Sequence, residues 1–323
     1  MQEEGFRVVA LHLYNGFNGS IRRDIEMGPS WKWTPSEDVV RGAERLGIEL
    51  VTQDVTDEFI DVILNPRHGY GSGVNPCIDC RIFILKKAHD LMVSEGAGFV
   101  FTGEVLGQRP MSQHRNALDL VDRRCGLEGR LLRPLSAKLL EPTLPESEGL
   151  VNRDNLYDIS GRSRKPQKEI AARYGIDWYP NSGPGCFLTD KNFAAKLKDL
   201  YDHGIEVPSL HDLKSLKAGR HLRLDSGTKV IVGRTQVENE YLEALYGDTR
   251  WLFKTKEFVC ASVYAIDEPA EDDFAFIAGL SARYGKGVNE ENVAVVATKG
   301  SDTRELIVQP PTQEQIEPYF IAI

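Results

Sequence analysis

Short apolar runs alternate with amphipathic stretches over the first two thirds of the chain. RVVALHLY (Arg7–Tyr14) has a continuous apolar core, the pattern of a strand buried on both faces of a parallel sheet. Pro35–Leu46 predicts a helix, with Ser36 as a candidate N-cap and Gly47 as its stop. IELVTQDV predicts a second strand and Glu58–Leu64 a short helix. Cys80–Glu95 predicts a longer helix, with Ile84, Leu85, Ala88, Leu91 and Met92 on one face. GFVFTGE predicts a third buried strand that runs straight into the loop TGEVLGQRPMSQ. A helix around Asn116–Arg123 and a strand in GRLLRPLSA follow.

Alternating strands and helices with turn residues at strand ends predict an α/β fold with an open, mostly parallel sheet. Ligands on such sheets bind outside the carboxyl ends of the strands, here at NGFNGS and TGEVLGQRPMSQ. After about Leu222 the texture changes. GTKVIVG, RWLFKT, FVCASVYAI and VAVVAT predict strands around the helices VENEYLEALYG and EDDFAFIAGLSARYG, a separate small α+β domain. The predicted domains are 1–222 and 223–323, with connectors at Pro134–Pro145 and Val207–Ser226.

A length of 323 residues suits two domains. No apolar run reaches membrane-spanning length, and the first residues lack the basic and apolar regions of a signal peptide. Five cysteines, an odd and sparse set, predict reduced thiols and a cytoplasmic protein rather than a disulfide framework. The net charge of −9 is unevenly spread. Residues 161–220 hold eleven Lys/Arg against seven Asp/Glu, whereas 1–160 hold 18 against 24 and 221–323 hold 10 against 17. A basic middle between acidic flanks suits local contact with a polyanion, and equally a solvated helix face.

VNPCIDCRIF places Cys77 and Cys80 at the start of a helix, and NSGPGCFLTD places Cys186 in a glycine-rich loop. These thiols fit a metal or cluster site, a redox or persulfide pair, or small core residues. Three thiolates are one short of the four that a [4Fe–4S] cluster normally takes, which would leave one iron open to an exogenous sulfur. Cys125 and Cys260 carry no motif, and Cys260 reads as a mid-strand core residue. Thr102 and Gly103 end a strand where a ligand can pack against bare backbone. Gln108, Arg109, Ser112 and Gln113 offer donors at a helix entrance, a setting for phosphate or simply a capped turn. GRSRKPQKEIAARYG supplies Arg162, Arg164, Lys165, Lys168 and Arg173, a stripe for phosphate contacts or a solvated basic helix. The seven histidines show no ligand spacing.

TGEVLGQRPMSQHRNAL resembles the corresponding loop and helix of tRNA 4-thiouridine synthases, and NPCIDCRIF resembles the NPC-x-x-C segment of tRNA 2-thiouridylases. The run from NPCIDC through TGEVLGQRPMSQ, LLRPLSAKLLEPT and GRSRKPQ to GPGCFLTD is similar to a thiouridylase subgroup of PP-loop ATPases, over roughly residues 6–200. GTKVIVGRTQVENEYLEAL is similar to the small RNA-binding-type domain of NFACT proteins. The first resemblance implies a PP-loop ATPase (HUP-like) sheet and ATP-dependent sulfur transfer to a tRNA uridine through an adenylated intermediate. It implies Cys77, Cys80 and Cys186 as holders of a [4Fe–4S] cluster that carries sulfur. Asn15 and Gly16 match the adenine-side loop, Thr102 and Gly103 positions near adenine and ribose, and Gln108, Arg109, Ser112 and Gln113 the segment near the AMP phosphate. The implied partners are tRNA and a sulfur donor, either sulfide or a persulfide carrier, with ATP and Mg2+ as cofactors and a homodimer left open. These enzymes open on a strand and an SGG-x-DS loop that this sequence lacks, so the expectation is an N-terminally incomplete PP-loop domain. Cluster-free persulfide transfer, and a non-catalytic RNA- or metal-binding protein, remain the alternatives.

Overall fold

The computed structural model describes residues 1–17, 25–30, 35, 37–176 and 186–322. Ser36, the Asn18–Ser20 end of NGFNGS, and Gly183 and Gly185 ahead of Cys186 lie outside the described residues. The chain divides into two compact units: Met1–Asn18 with Trp33–Cys186, and Gly19–Lys32 with Phe187–Ile323.

The first unit is α/β. Strand β1 (Val9–Tyr14) pairs in parallel with β2 (Glu49–Asp54) through helix α1 (Glu37–Leu46), and Gly47 ends that helix at φ +60°. Helix α2 (Thr56–Leu64) follows, then α3 (Cys77–Ser94), which begins at Cys77 rather than Cys80. The predicted strand in GFVFTGE shrinks to β3 (Val100–Phe101), and that in GRLLRPLSA to β4 (Leu131–Leu132). Helix α4 (Arg115–Arg124) connects them, and they pair in parallel. Among the described residues the parallel strands therefore form two separate pairs, not the single open sheet that the apolar runs predicted. The runs are apolar over more residues than pair. After Phe101 only the Thr102 N–H still reaches across, to the Leu132 carbonyl at 3.0 Å, before the chain turns away. The apolar face of α3 packs on α4 and the turn after it through Ile82, Leu85, Val121 and Leu127, and Cys125 is buried in that cluster as a core residue.

The second unit opens with helices and closes with an antiparallel sheet. After α6 (Lys191–Asp202; α5 is Lys165–Arg173 of the first unit) come six strands in the order β10-β9-β7-β8-β6-β5. They are β5 (Arg220–Arg223), β6 (Lys229–Val232), β7 (Trp251–Thr255), β8 (Val263–Ala265), β9 (Val293–Lys299) and β10 (Asp302–Val308). Helix α7 (Gln236–Tyr246) covers one face through Tyr241 and Leu242 against Ile231 and Tyr264. Helix α8 (Asp273–Arg283) covers the other through Phe274, Ile277 and Leu280 against Trp251, Phe253 and Val295. Cover on both faces explains why every residue of β6 is buried. Each such fully buried large apolar side chain contributes about 1.5–3 kcal/mol. Strands β5 and β10 escape a sequence reading because charged residues interrupt their apolar positions. Cys260 does not sit mid-strand. It lies ahead of β8 in an isolated bridge to Gly285, half-buried, and accepts the Thr255 N–H at 3.3 Å.

Candidate functional site

Cys77 is the first residue of α3 and Cys80 lies one turn in. The segment before the helix turns back on itself. Gly71 N–H donates to the Asn75 carbonyl at 2.9 Å, and Gly73 N–H donates to Asn75 Oδ1 at 3.0 Å. With its oxygen so engaged, the buried Asn75 presents Nδ2 to the Cys77 sulfur at 3.0 Å and to Met111 Sδ at 3.7 Å. Only glycine fits at 71, since a Cβ there would stand 2.2 Å from Asn75 Nδ2. The TGEVLGQRPMSQ loop thus lies against the thiol-bearing turn.

Burial pushes the Cys80 thiol up to about 12, against the pull of Arg81; Cys186 and Cys77 push the same way and Arg109 opposes them. The two segments that carry the three thiols are therefore electrostatic neighbours, although more than a hundred residues separate Cys80 from Cys186. None of the five cysteines forms a disulfide. His68 lies on the loop before α3. Its backbone N–H and Nδ1 both meet the Asp79 carboxylate, at 2.9 and 2.8 Å, and so pin that loop to the helix.

A buried ionic relay joins the motif segments. Glu104 accepts from Arg133 Nε at 3.0 Å and faces Arg81 Nε at 2.9 Å, so it ties the thiol helix to the residue after β4. Arg133 reaches on to both oxygens of Asp122 at 2.9 and 2.7 Å. Ser136 Oγ accepts the Leu106 N–H at 2.9 Å and donates to the Ile159 carbonyl at 2.7 Å. Gly161 N–H donates to the Leu106 carbonyl at 2.7 Å, which brings the start of GRSRKPQ to the same loop.

The nucleotide-side candidates divide. Gly103 is exposed, with nothing near the place a Cβ would take, and Arg109 is exposed close to Cys80. Thr102 is half-buried and its hydroxyl meets Glu104 at 3.3 Å. Ser112 and Gln113 are buried, and Gln113 Oε1 and Gln108 Nε2 are enclosed with no hydrogen-bond partner among the described residues. Asn15 is a turn residue, accepting the Phe17 N–H at 3.0 Å, and Gly16 stands at φ +76° with Thr56 too close for any side chain. Arg162, Arg164, Lys165, Lys168 and Arg173 are all exposed, on α5 or just before it.

Cys77, Cys80 and Cys186 are the soft donors that neighbour one another in this unit. Among the described residues no three His, Cys, Asp or Glu side chains gather tightly enough for a single metal ion. A four-iron cluster spreads its thiolates around a larger body than one ion would. Sequence reasoning missed Asn75, Arg81, Glu104 and Arg133. All four lie inside segments quoted from the sequence, but nothing in their type or spacing marks them as partners.

No curated protein matches the chain. Among solved structures, the C-terminal part of the fibronectin/fibrinogen-binding protein from Streptococcus suis is 14% identical over 75% of this chain and 96% of that chain, with a TM-score of 0.29. Among the described residues no helix is long and apolar enough to cross a membrane. Residues 219–320, which hold β5 to β10 with helices α7 and α8, match the family model of the NFACT protein RNA binding domain.

Proposed function

We propose that the protein binds RNA through residues 219–320 and that its α/β unit serves sulfur transfer to a uridine of tRNA. The observation that carries the chemistry is the neighbourhood of Cys77, Cys80 and Cys186, with Arg109 beside them. Half-buried thiols that neighbour one another in an α/β unit, in a chain with an RNA-binding-type domain, suit delivery of sulfur to a nucleic acid.

A [4Fe–4S] cluster held by Cys77, Cys80 and Cys186 would supply an exchangeable hydrosulfide when bound. Asn75 orients the Cys77 sulfur through its amide donor. Arg109, exposed near Cys80, is free to take a phosphate of an adenylated substrate. Gln113 and Gln108 hold enclosed amide atoms for a nucleotide's polar edge. The exposed stripe from Arg162 to Arg173 adds sequence-independent phosphate contacts. ATP and Mg2+ would supply the activation of the uridine oxygen, and sulfide or a persulfide carrier would act as sulfur donor in the cytoplasm. The second reading is a cluster-free route, in which a persulfide carrier passes its outer sulfur to one of the cysteines.

The test is iron and acid-labile sulfide per chain in protein purified without oxygen, beside Cys77→Ser and Cys186→Ser. About four irons per chain, lost in both variants, support the cluster reading. Folded protein with negligible iron sinks it. If such protein still transfers labelled sulfur to tRNA, the persulfide route replaces it; if it transfers none, the sulfur-transfer reading falls as well.

A further inference from the structure

The RNA-binding-type region is acidic. Residues 219–320 hold eleven Lys/Arg against seventeen Asp/Glu, so net charge cannot draw RNA to it and any contact must be local. Seven of the eleven cations are spent on carboxylates. Arg223 and Lys229 meet Asp199, and Arg234 meets Glu238. Lys254 meets Glu243, Lys256 Glu305, Lys299 Glu268 and Arg304 Glu271. Among the described residues Arg220, Arg250, Arg283 and Lys286 have no such partner.

Three of these four lie at or next to Tyr284, and one of them packs on its ring. Arg220, the first residue of β5, lies over the Tyr284 ring with its guanidinium carbon 4.8 Å from the centroid. Arg283, the last residue of α8, is the second charge felt at Tyr284. Lys286 follows two residues on and is exposed. The backbone fixes the arrangement. Tyr284 accepts the Ala261 N–H at 3.1 Å, and Lys286 N–H donates to the Val259 carbonyl at 2.9 Å. Between them a Cβ at Gly285 would stand 2.7 Å from that same carbonyl oxygen.

We propose that Arg220, Arg283, Tyr284 and Lys286 form the RNA contact of this unit, taking backbone phosphates of a single-stranded RNA segment with the Tyr284–Arg220 stack beside them. Unneutralised cations release condensed counterions when they meet phosphates, while paired ones must first give up a carboxylate. An arginine stacked on an aromatic ring keeps its edge donors for phosphate and extends a flat platform for a base. The inference rests on the reading that residues 219–320 bind RNA. The alternative use of Arg283 and Lys286 is to complement the carboxyl end of α8, which would stabilise the helix without touching RNA.

The experiment is fluorescence anisotropy of the full chain with a labelled, unmodified tRNA transcript over a range of salt, with thermal melts of each variant. The triple variant Arg220→Ala, Arg283→Ala, Lys286→Ala should bind about tenfold or more weakly, with a slope of log affinity against log salt shallower by about two. Lys299→Ala with Arg304→Ala, two paired cations, should leave affinity unchanged. Lys286→Glu, a single exposed change, should weaken binding with no change in melting and covers the case of a misfolded triple variant. If Lys286→Glu binds as wild type, the patch is overturned. A lower melting temperature with unchanged affinity in the triple variant also overturns it, in favour of the helix-end role. If the wild-type chain binds no tRNA, the patch falls together with the RNA-binding reading; if it binds and the variants match it, only the patch falls.

Discussion

Asn75 and Cys77 are bound side chain to side chain, the amide nitrogen 3.0 Å from the sulfur, with the amide oxygen held by Gly73. Removing that amide leaves the Gly73 N–H without its acceptor and the Cys77 sulfur without its donor. Asn75→Ala should cost about 1–3 kcal/mol in urea unfolding. Asn75→Asp should also destabilise the protein, because a carboxylate keeps the acceptor for Gly73 but brings no N–H to the sulfur. Wild-type stability in Asn75→Asp would show that the contact to Cys77 holds nothing.

In protein without a cluster, Cys80 should stay unreactive while the fold lasts. Its thiol, pushed up to about 12 by burial, keeps its proton through the neutral range. Iodoacetamide at pH 8 should spare Cys80 in folded protein and label it once urea unfolds the chain. The sign for stability follows. Between the ordinary thiol value and about 12 the folded chain binds the extra proton, so stability falls as pH rises through that window. A urea midpoint that climbs between pH 9 and 11 in wild type, relative to Cys80→Ala, would contradict this.

Glu104 and Arg133 are buried and joined at 3.0 Å, and each has a second ionic partner. Removing one member leaves a buried charge uncompensated. Arg133→Met and Glu104→Leu should each lose about 3–5 kcal/mol. Changing both should cost less than the sum, since the second change removes the charge the first one stranded. A double-mutant cycle in urea checks this, and additive losses would separate the two residues.

Asp199 anchors Arg223 at 2.7 Å and Lys229 at 3.0 Å in the second unit. Burial alone would raise its carboxyl, but the two cations hold it below the ordinary carboxylate value. Its contribution is therefore complete above the unfolded value and fades as pH falls through the lowered folded one. Asp199→Asn should destabilise the protein by about 3 kcal/mol at pH 7 and by less near pH 3. Melting temperatures across that range decide it, and a loss that grows toward acid pH would reverse the assignment.

Arg162, Arg164 and Lys165 are exposed, and Lys165 has only a loose ion pair with Glu169 at 3.9 Å. Replacing all three by Ala should flatten the salt slope of tRNA binding by about two to three and leave folding intact. Unchanged affinity in titrations at two salt concentrations would return the stripe to a solvated helix face.

Much of the local structure is legible in the chain. The apolar run around Leu11, the amphipathic stretch that becomes α3, and the Gly47 stop all obey short-range sterics and periodicity, which act within a few residues. The same holds for the α+β texture after Leu222, where RWLFKT buries Trp251 and Phe253 by simple alternation. The cysteine motif and the TGEVLGQRPMSQ loop were legible as candidates because residue type limits chemistry: thiols bind soft metals and carry sulfur, while cations and polar N–H or O–H donors meet phosphate.

Partnership was decided by the tertiary structure alone. Strand length depends on what pairs across the gap, so GFVFTGE yields two paired residues and its parallel partners form separate pairs. Which cations are free depends on carboxylates far away in sequence. Arg304 is neutralised by Glu271, while Arg220 is left over Tyr284, and nothing in the spacing distinguishes the two arginines. The thiol helix, the TGE loop and the segment after β4 meet through Glu104, because a buried charge must find opposite charge wherever the fold supplies it. Sequence determines which groups are available; long-range packing and desolvation decide which of them face one another.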